Sequence, residues 1–293
     1  MRISWLRNLF FGNAMLEETT RVWRGLRRGG HANTSRSLTN VLFGMIFFFY
    51  FWFCYEMAKW GIDTNSSRDA ILLCEYLELV AITLILPASV YGAIAGERER
   101  GTWEALILTR LTAGQIIFGK LFWRILVIVI LMLLLFLPEC LAIGFHGVYS
   151  SGGTYHFRNY VLAGQLLNLS WGALLTSFGL WVSAGSRRSV TAASSVFVSL
   201  LAALILLPLL YGLLAASQGG AAKNGDGFAM SAYGWNPFYL LGTSEYNPSN
   251  STPNFNALPG VMVITMYFAL SILFLSGTLA RLRRLEEPKR RTG

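Results

Sequence analysis

The chain is poor in charge. Only 13% of its 293 residues are Asp, Glu, Lys or Arg, against about 25% in an ordinary soluble domain. The deficit is uneven, because residues 37–55, 79–96, 125–138, 159–186, 189–222 and 246–280 carry no charged side chain at all. That pattern excludes a large soluble protein with buried helices. Cysteine and histidine are scarce as well, at three each. Cys54, Cys74 and Cys140 lie in or near apolar runs without metal-ligand spacing. They read as small buried side chains, with a Cys54–Cys74 bridge as the alternative. His31, His146 and His156 show no ligand spacing, so neither a metal nor a cofactor is expected. H-E-x-x-H and G-x-S-x-G are missing. Gly114–Lys120 fits most of a phosphate loop, yet Leu121 stands where the Mg²⁺-binding hydroxyl belongs. The chain is therefore expected to be no enzyme. A cleavable signal peptide is not expected either, since the basic stretch 1–37 precedes the first apolar run.

What is present is long apolar sequence, with a mean hydropathy of +0.49. A helix needs about 20 mostly apolar residues to cross about 30 Å of hydrocarbon. Six segments meet or approach that length: 38–57, 70–96, 116–145, 159–185, 190–216 and 259–280. Lipid offers backbone groups no partners, so each must be a helix. The expected fold is thus an all-α integral membrane protein, with a six-span domain over 38–281 and a basic tail over 282–293. Most of the 24 Lys and Arg fall in the N-terminal segment, the second-to-third connection, the Arg187-Arg188 pair and the tail. By the positive-inside rule, both termini and that connection are cytoplasmic. The net charge of +9 therefore orients the chain in a bilayer, and nucleic acid is not an expected partner.

Within residues 1–37, Leu6, Leu9, Phe10, Val22, Trp23 and Leu26 recur at helical spacing among arginines. This suits an amphipathic helix in the membrane interface, in preference to one packed on a cytosolic partner. The loop 217–258 contains Trp235-Asn236-Pro237-Phe238-Tyr239 and reads either as short re-entrant helices or as a plain outer loop. Glu75 and Glu78 share one helix face, and Glu139 follows Pro138. All three are expected near the outer interface, lining a cavity or outer gate together with Asn236 and Pro237, in preference to forming a proton relay.

The connection between the second and third segments is the most specific stretch. It reads Gly96-Glu97-Arg98-Glu99-Arg100-Gly101-Thr102-Trp103-Glu104-Ala105-Leu106-Ile107-Leu108-Thr109-Arg110-Leu111-Thr112. Gly101 permits a reversal, Thr102 suits an N-cap, and Glu104 sits where the helix dipole favours an acid. Thr112 and Gln115 resemble a capping box. A short amphipathic helix over 102–111 follows, anchored between two long spans. Lys120 and Arg124 read as snorkelling toward the cytoplasm.

This stretch resembles the ABC-type-2 exporter permease family, whose members often read close to E-R-E-x-G-T-x-E-x-L-x-x-T-P-L-S-x-x-x-I-x-x-G-K here. Glu97, Arg98, Glu99, Gly101, Thr102, Glu104, Leu106, Thr109, Leu111, Ile116 or Ile117, Gly119 and Lys120 match in one gapless register, while Arg110 replaces Pro and Thr112 replaces Ser. Asn236-Pro237 and, faintly, Asn13-Ala14-Met15-Leu16 are similar to further family features. The resemblance implies a coupling helix, formed by Glu97, Glu99, Arg100, Gly101, Thr102, Trp103, Glu104, Leu106 and Thr109, that seats in a separate ABC ATP-binding subunit. It also implies a second permease copy or paralogue, ATP and Mg²⁺ held by the partner ATPase, and residence in the inner membrane of a prokaryote. A secondary transporter or a non-transporting membrane scaffold is the alternative; the former would want charges at mid-membrane beside broken helices.

Overall fold

The computed structural model describes residues 33–60, 64–103, 113–144, 154–217, 233–243 and 257–290, which are helical apart from turns and contain no strand. In chain order the elements are α1 (Asn33–Trp60), α2 (Thr64–Val90), α3 (Ala95–Glu99), α4 (Ala113–Gly144), α5 (Thr154–Gly185) and α6 (Ser189–Leu201). A π-helical turn (Ala202–Leu206) leads into α7 (Leu207–Ser217), and α8 (Pro237–Thr243) and α9 (Ala257–Arg290) complete the series. Among the described residues, five stretches are long and apolar enough to cross a membrane: Ala70–Glu99, Gly114–Ala142, Val161–Gly185, Ser189–Leu213 and Gly260–Arg284. The first expected span, 38–57, falls on α1, which is not among these five. The interface segment before residue 33 and the coupling-helix residues 104–111 lie outside the described residues.

α5 is the central helix. It packs most extensively on α9 and α2, while α4 covers α2 and α1 lies against α4. One apolar cluster joins Leu79, Ile82, Leu86, Ile128, Leu167, Trp171, Leu240, Leu241 and Tyr267. The rings of Trp171 and Tyr267 are 5.2 Å apart, and the Trp171 indole N–H donates to the Thr83 hydroxyl at 2.9 Å. A ring with one polar atom can be buried in this way only if that atom finds a partner. α1 turns Phe47, Phe48, Phe49, Phe51 and Trp52 outward, a face suited to lipid tails.

Two prolines inside helices are repaired from outside the helix. Pro138 has no N–H for the carbonyl of Leu134, four residues earlier, and the Tyr50 hydroxyl donates to that oxygen at 2.8 Å. Pro208 likewise leaves Leu204 without its usual donor. The π turn precedes it, and the Asn236 amide donates to the Leu204 oxygen at 3.3 Å.

The second expected span, 70–96, is not one continuous helix. α2 ends at Val90, three residues after Pro87, and the chain turns through 91–94 before α3. The break leaves the N–H groups of Ile94 and Ala95 outside the ladder, and the Ser183 hydroxyl accepts both at 3.0 Å.

Candidate functional site

Two polar assemblies lie along α2, one just beyond its C-terminal end and one near its middle. The first surrounds α3. Arg100 caps this helix, and Gly101 follows with φ +71°, a left-handed conformation in which a side chain would be strained. The reversal expected at Gly101 is thus present. Thr102 and Trp103 are already helical. The Thr102 hydroxyl, expected as an N-cap, donates backward to the Glu97 carbonyl at 3.2 Å. Trp103 is buried with Val90, Ala93, Ile94, Ile117, Leu180, Ala184 and Leu282, and the Arg98 guanidinium lies 5.3 Å above its ring. Glu104, Leu106 and Thr109 lie outside the described residues.

Three further contacts fasten this turn to the bundle. The Lys120 ammonium of α4 donates to Glu97 at 2.6 Å. The Glu99 carboxylate accepts the Ser189 N–H at 3.1 Å and also the Ser189 hydroxyl, so an acid sits on the first turn of α6. Arg98 donates to the Ser186 carbonyl at 3.4 Å. Lys120 and Arg124 are both buried, which differs from the snorkelling read in the sequence. The α3 turn lays Glu97 over Lys120, and Arg124 donates to the carbonyls of Ser89, at 3.0 Å, and Lys120. A cavity of about 650 Å³ opens here, with Glu97, Glu99, Arg100, Thr102, Lys120 and Arg124 on its wall. Its lining can hold polar or ionic groups.

The second assembly is centred on the middle of α2. Glu75 and Glu78 of α2 and Glu139 of α4 come together although the sequence holds them some sixty residues apart, and carboxylate oxygens of all three lie within 4.8 Å of one another. All three are fully buried, whereas an interface position close to water was expected. α5 supplies the partners. The Gln165 amide donates to Glu78 at 2.7 Å and to both oxygens of Glu139 at 3.2 and 3.3 Å. The Asn168 amide donates to Glu75 at 2.9 Å. Gly164 makes room, since a Cβ there would fall within 2.6 Å of both Glu75 carboxylate oxygens. Among the described residues, no basic side chain pairs with these acids. Cys74 packs beside them in an apolar cluster with Met57 and Ala142; all three cysteines are free, Cys54 and Cys74 being buried as read from the sequence and Cys140 exposed.

Asn236 and Pro237 are buried at the start of α8. Asn236 accepts the Phe238 N–H at 3.0 Å as an N-cap, with Pro237 in the first helical position. Tyr76 donates to the Phe238 carbonyl at 3.0 Å, and Tyr267 donates to that of Trp235. The pair therefore fixes a cover over the bundle.

Sequence reading missed Ser183, Gln165 and Asn168. Gln165 and Asn168 could have been found, since two amides three apart share one face of a charge-free span. Ser183 carried no signal, because its partners lie almost ninety residues away.

A family model described as ABC-2 family transporter protein matches residues 35–252. No curated protein matches the chain.

Proposed function

The chain thus belongs to the ABC-2 transporter family as a multi-pass membrane permease, and we propose that it exports its substrate using ATP hydrolysed by a separate subunit. In this reading α1 is the first of six spans, residues 1–37 lie in the interface, and the charge asymmetry puts both termini and α3 on the cytoplasmic side. Residues 102–111 form the coupling helix that meets the ATP-binding subunit, with Trp103 anchoring its start in the bundle. A second copy or a paralogue completes the pathway in the inner membrane of a prokaryote. ATP and Mg²⁺ stay on the partner.

The observation that carries this reading is how the turn before residue 102 is held. Glu97 is tied to α4 through Lys120, Glu99 to α6 through Ser189, and Ile94 and Ala95 to α5 through Ser183. A push on a helix starting at Thr102 reaches three long helices through short polar contacts. A loosely tethered loop would absorb the same push. The Gly101 reversal aims the chain away from α3 while keeping its base fixed.

Thr102→Pro and Glu104→Lys should uncouple or detach the ATP-binding subunit and leave membrane insertion unchanged. The check is co-purification, together with ATP-driven transport in sealed vesicles. Wild-type yield of the subunit with full ATP-driven activity in both variants overturns the proposal.

A further inference from the structure

We propose that Glu75, Glu78 and Glu139 form a binding site for a hard divalent cation within the bundle. The geometry suits one. Ca²⁺ and Mn²⁺ are held by oxygen ligands at about 2.1–2.6 Å, so two ligands across such an ion stand between about 4 and 5 Å apart. Oxygens from all three carboxylates lie within 4.8 Å of one another.

A second observation, outside the acids themselves, points to the same ligand. Asn168 of α5 is fully buried. Its amide nitrogen is committed to Glu75 at 2.9 Å. That Oδ1 has no hydrogen-bond partner, and neither do Glu75 Oε1 and Glu78 Oε1. Buried polar atoms are normally paired, and each orphan calls for an explanation. Three orphaned acceptors from two helices, with no basic side chain paired to them among the described residues, are electron-rich oxygens in need of positive charge. An amide or hydroxyl donor would satisfy one of them, whereas a cation takes several oxygen ligands at once.

The chemistry of the set selects the ion. The cluster holds carboxylates and amides and neither His nor Cys, which favours Ca²⁺ or Mn²⁺ over zinc or copper. A divalent ion offsets two of three carboxylate charges, and the Gln165 N–H, shared between Glu78 and Glu139, disperses the remainder. Gly164 is required because any side chain there would push Glu75 out of place. This site does not rest on ATP coupling, since Glu75 and Glu78 lie more than ten residues before the end of α2, away from α3.

The test uses the full chain in lipid nanodiscs after chelator treatment, with Mn²⁺ as the probe and the free-ion electron paramagnetic resonance signal as the readout. One Mn²⁺ per chain should disappear from the free signal, and Ca²⁺ should compete. Binding should weaken at least tenfold in Glu78→Gln and Glu139→Gln and stay unchanged in Glu97→Gln. Asn168→Asp keeps the side-chain shape and adds a carboxylate, so it should bind at least as tightly as the wild type even if the Gln variants assemble poorly. Absence of bound Mn²⁺ at millimolar concentration, equal binding in all variants, or weaker binding by Asn168→Asp overturns the proposal.

Discussion

Replacing Ser183 by Ala removes one oxygen and strands two donors. The Ile94 and Ala95 N–H groups both point at that hydroxyl at 3.0 Å, and both residues are fully buried. A buried donor left unpaired costs about 1–3 kcal/mol. Two donors sharing one bifurcated acceptor lose somewhat less than twice that, so about 2–4 kcal/mol is expected. Ser177 is the internal control. It is buried in the same helix, but its hydroxyl donates only to the Ala173 carbonyl of its own helix, at 2.7 Å. That oxygen keeps its backbone partner when the hydroxyl goes, so Ser177→Ala should change stability by less than about 0.5 kcal/mol. The assay is reversible unfolding in mixed detergent micelles, with hydrogen exchange at Ile94 and Ala95 as the local readout. Equal stability of the two variants, or unchanged exchange at both amides, refutes the assignment of Ser183 as the acceptor that holds the α2–α3 break.

Two other perturbations are sharp enough to measure. Asn236→Ala removes both the donor to Leu204 and the cap on α8; a loss of about 1–2 kcal/mol is expected, and an unfolding free energy matching wild type would contradict the stitch. A double-mutant cycle of Glu97→Gln with Lys120→Met should give a coupling energy of about 1–3 kcal/mol. That is less than a fully buried pair would show, because the Glu97 side chain remains 28% exposed while Lys120 is 7% exposed. Strict additivity in the same unfolding assay would mean that the pair is incidental.

The helices were legible because lipid imposes a simple rule. A long charge-free run must be helical, and the windows 38–57, 116–145, 159–185 and 259–280 fall on α1, α4, α5 and α9. The reversal at Gly101 was legible too. What stayed hidden was pairing between distant residues. The break after Val90 frees two N–H groups whose acceptor, Ser183, lies on a distant helix. Lys120 read as snorkelling because nothing local says that Glu97 folds back over it. The three glutamates were each visible in or near an apolar run. Their meeting needs α2, α4 and α5 to be docked in one register, and periodicity does not encode that register.

The buried carboxylates also bear on how this protein is made. A charged side chain near the middle of an inserting helix costs roughly 3 kcal/mol by itself. α2 and α4 deliver their acids first, while Gln165 and Asn168 arrive only with α5. Between those events the nascent chain holds acidic helices whose amide donors are still unsynthesised or inside the ribosome. Such helices gain by lingering at the insertion machinery, where water is at hand, until α5 appears. A chain truncated before α5 would keep these acids without the Gln165 and Asn168 amides that donate to them.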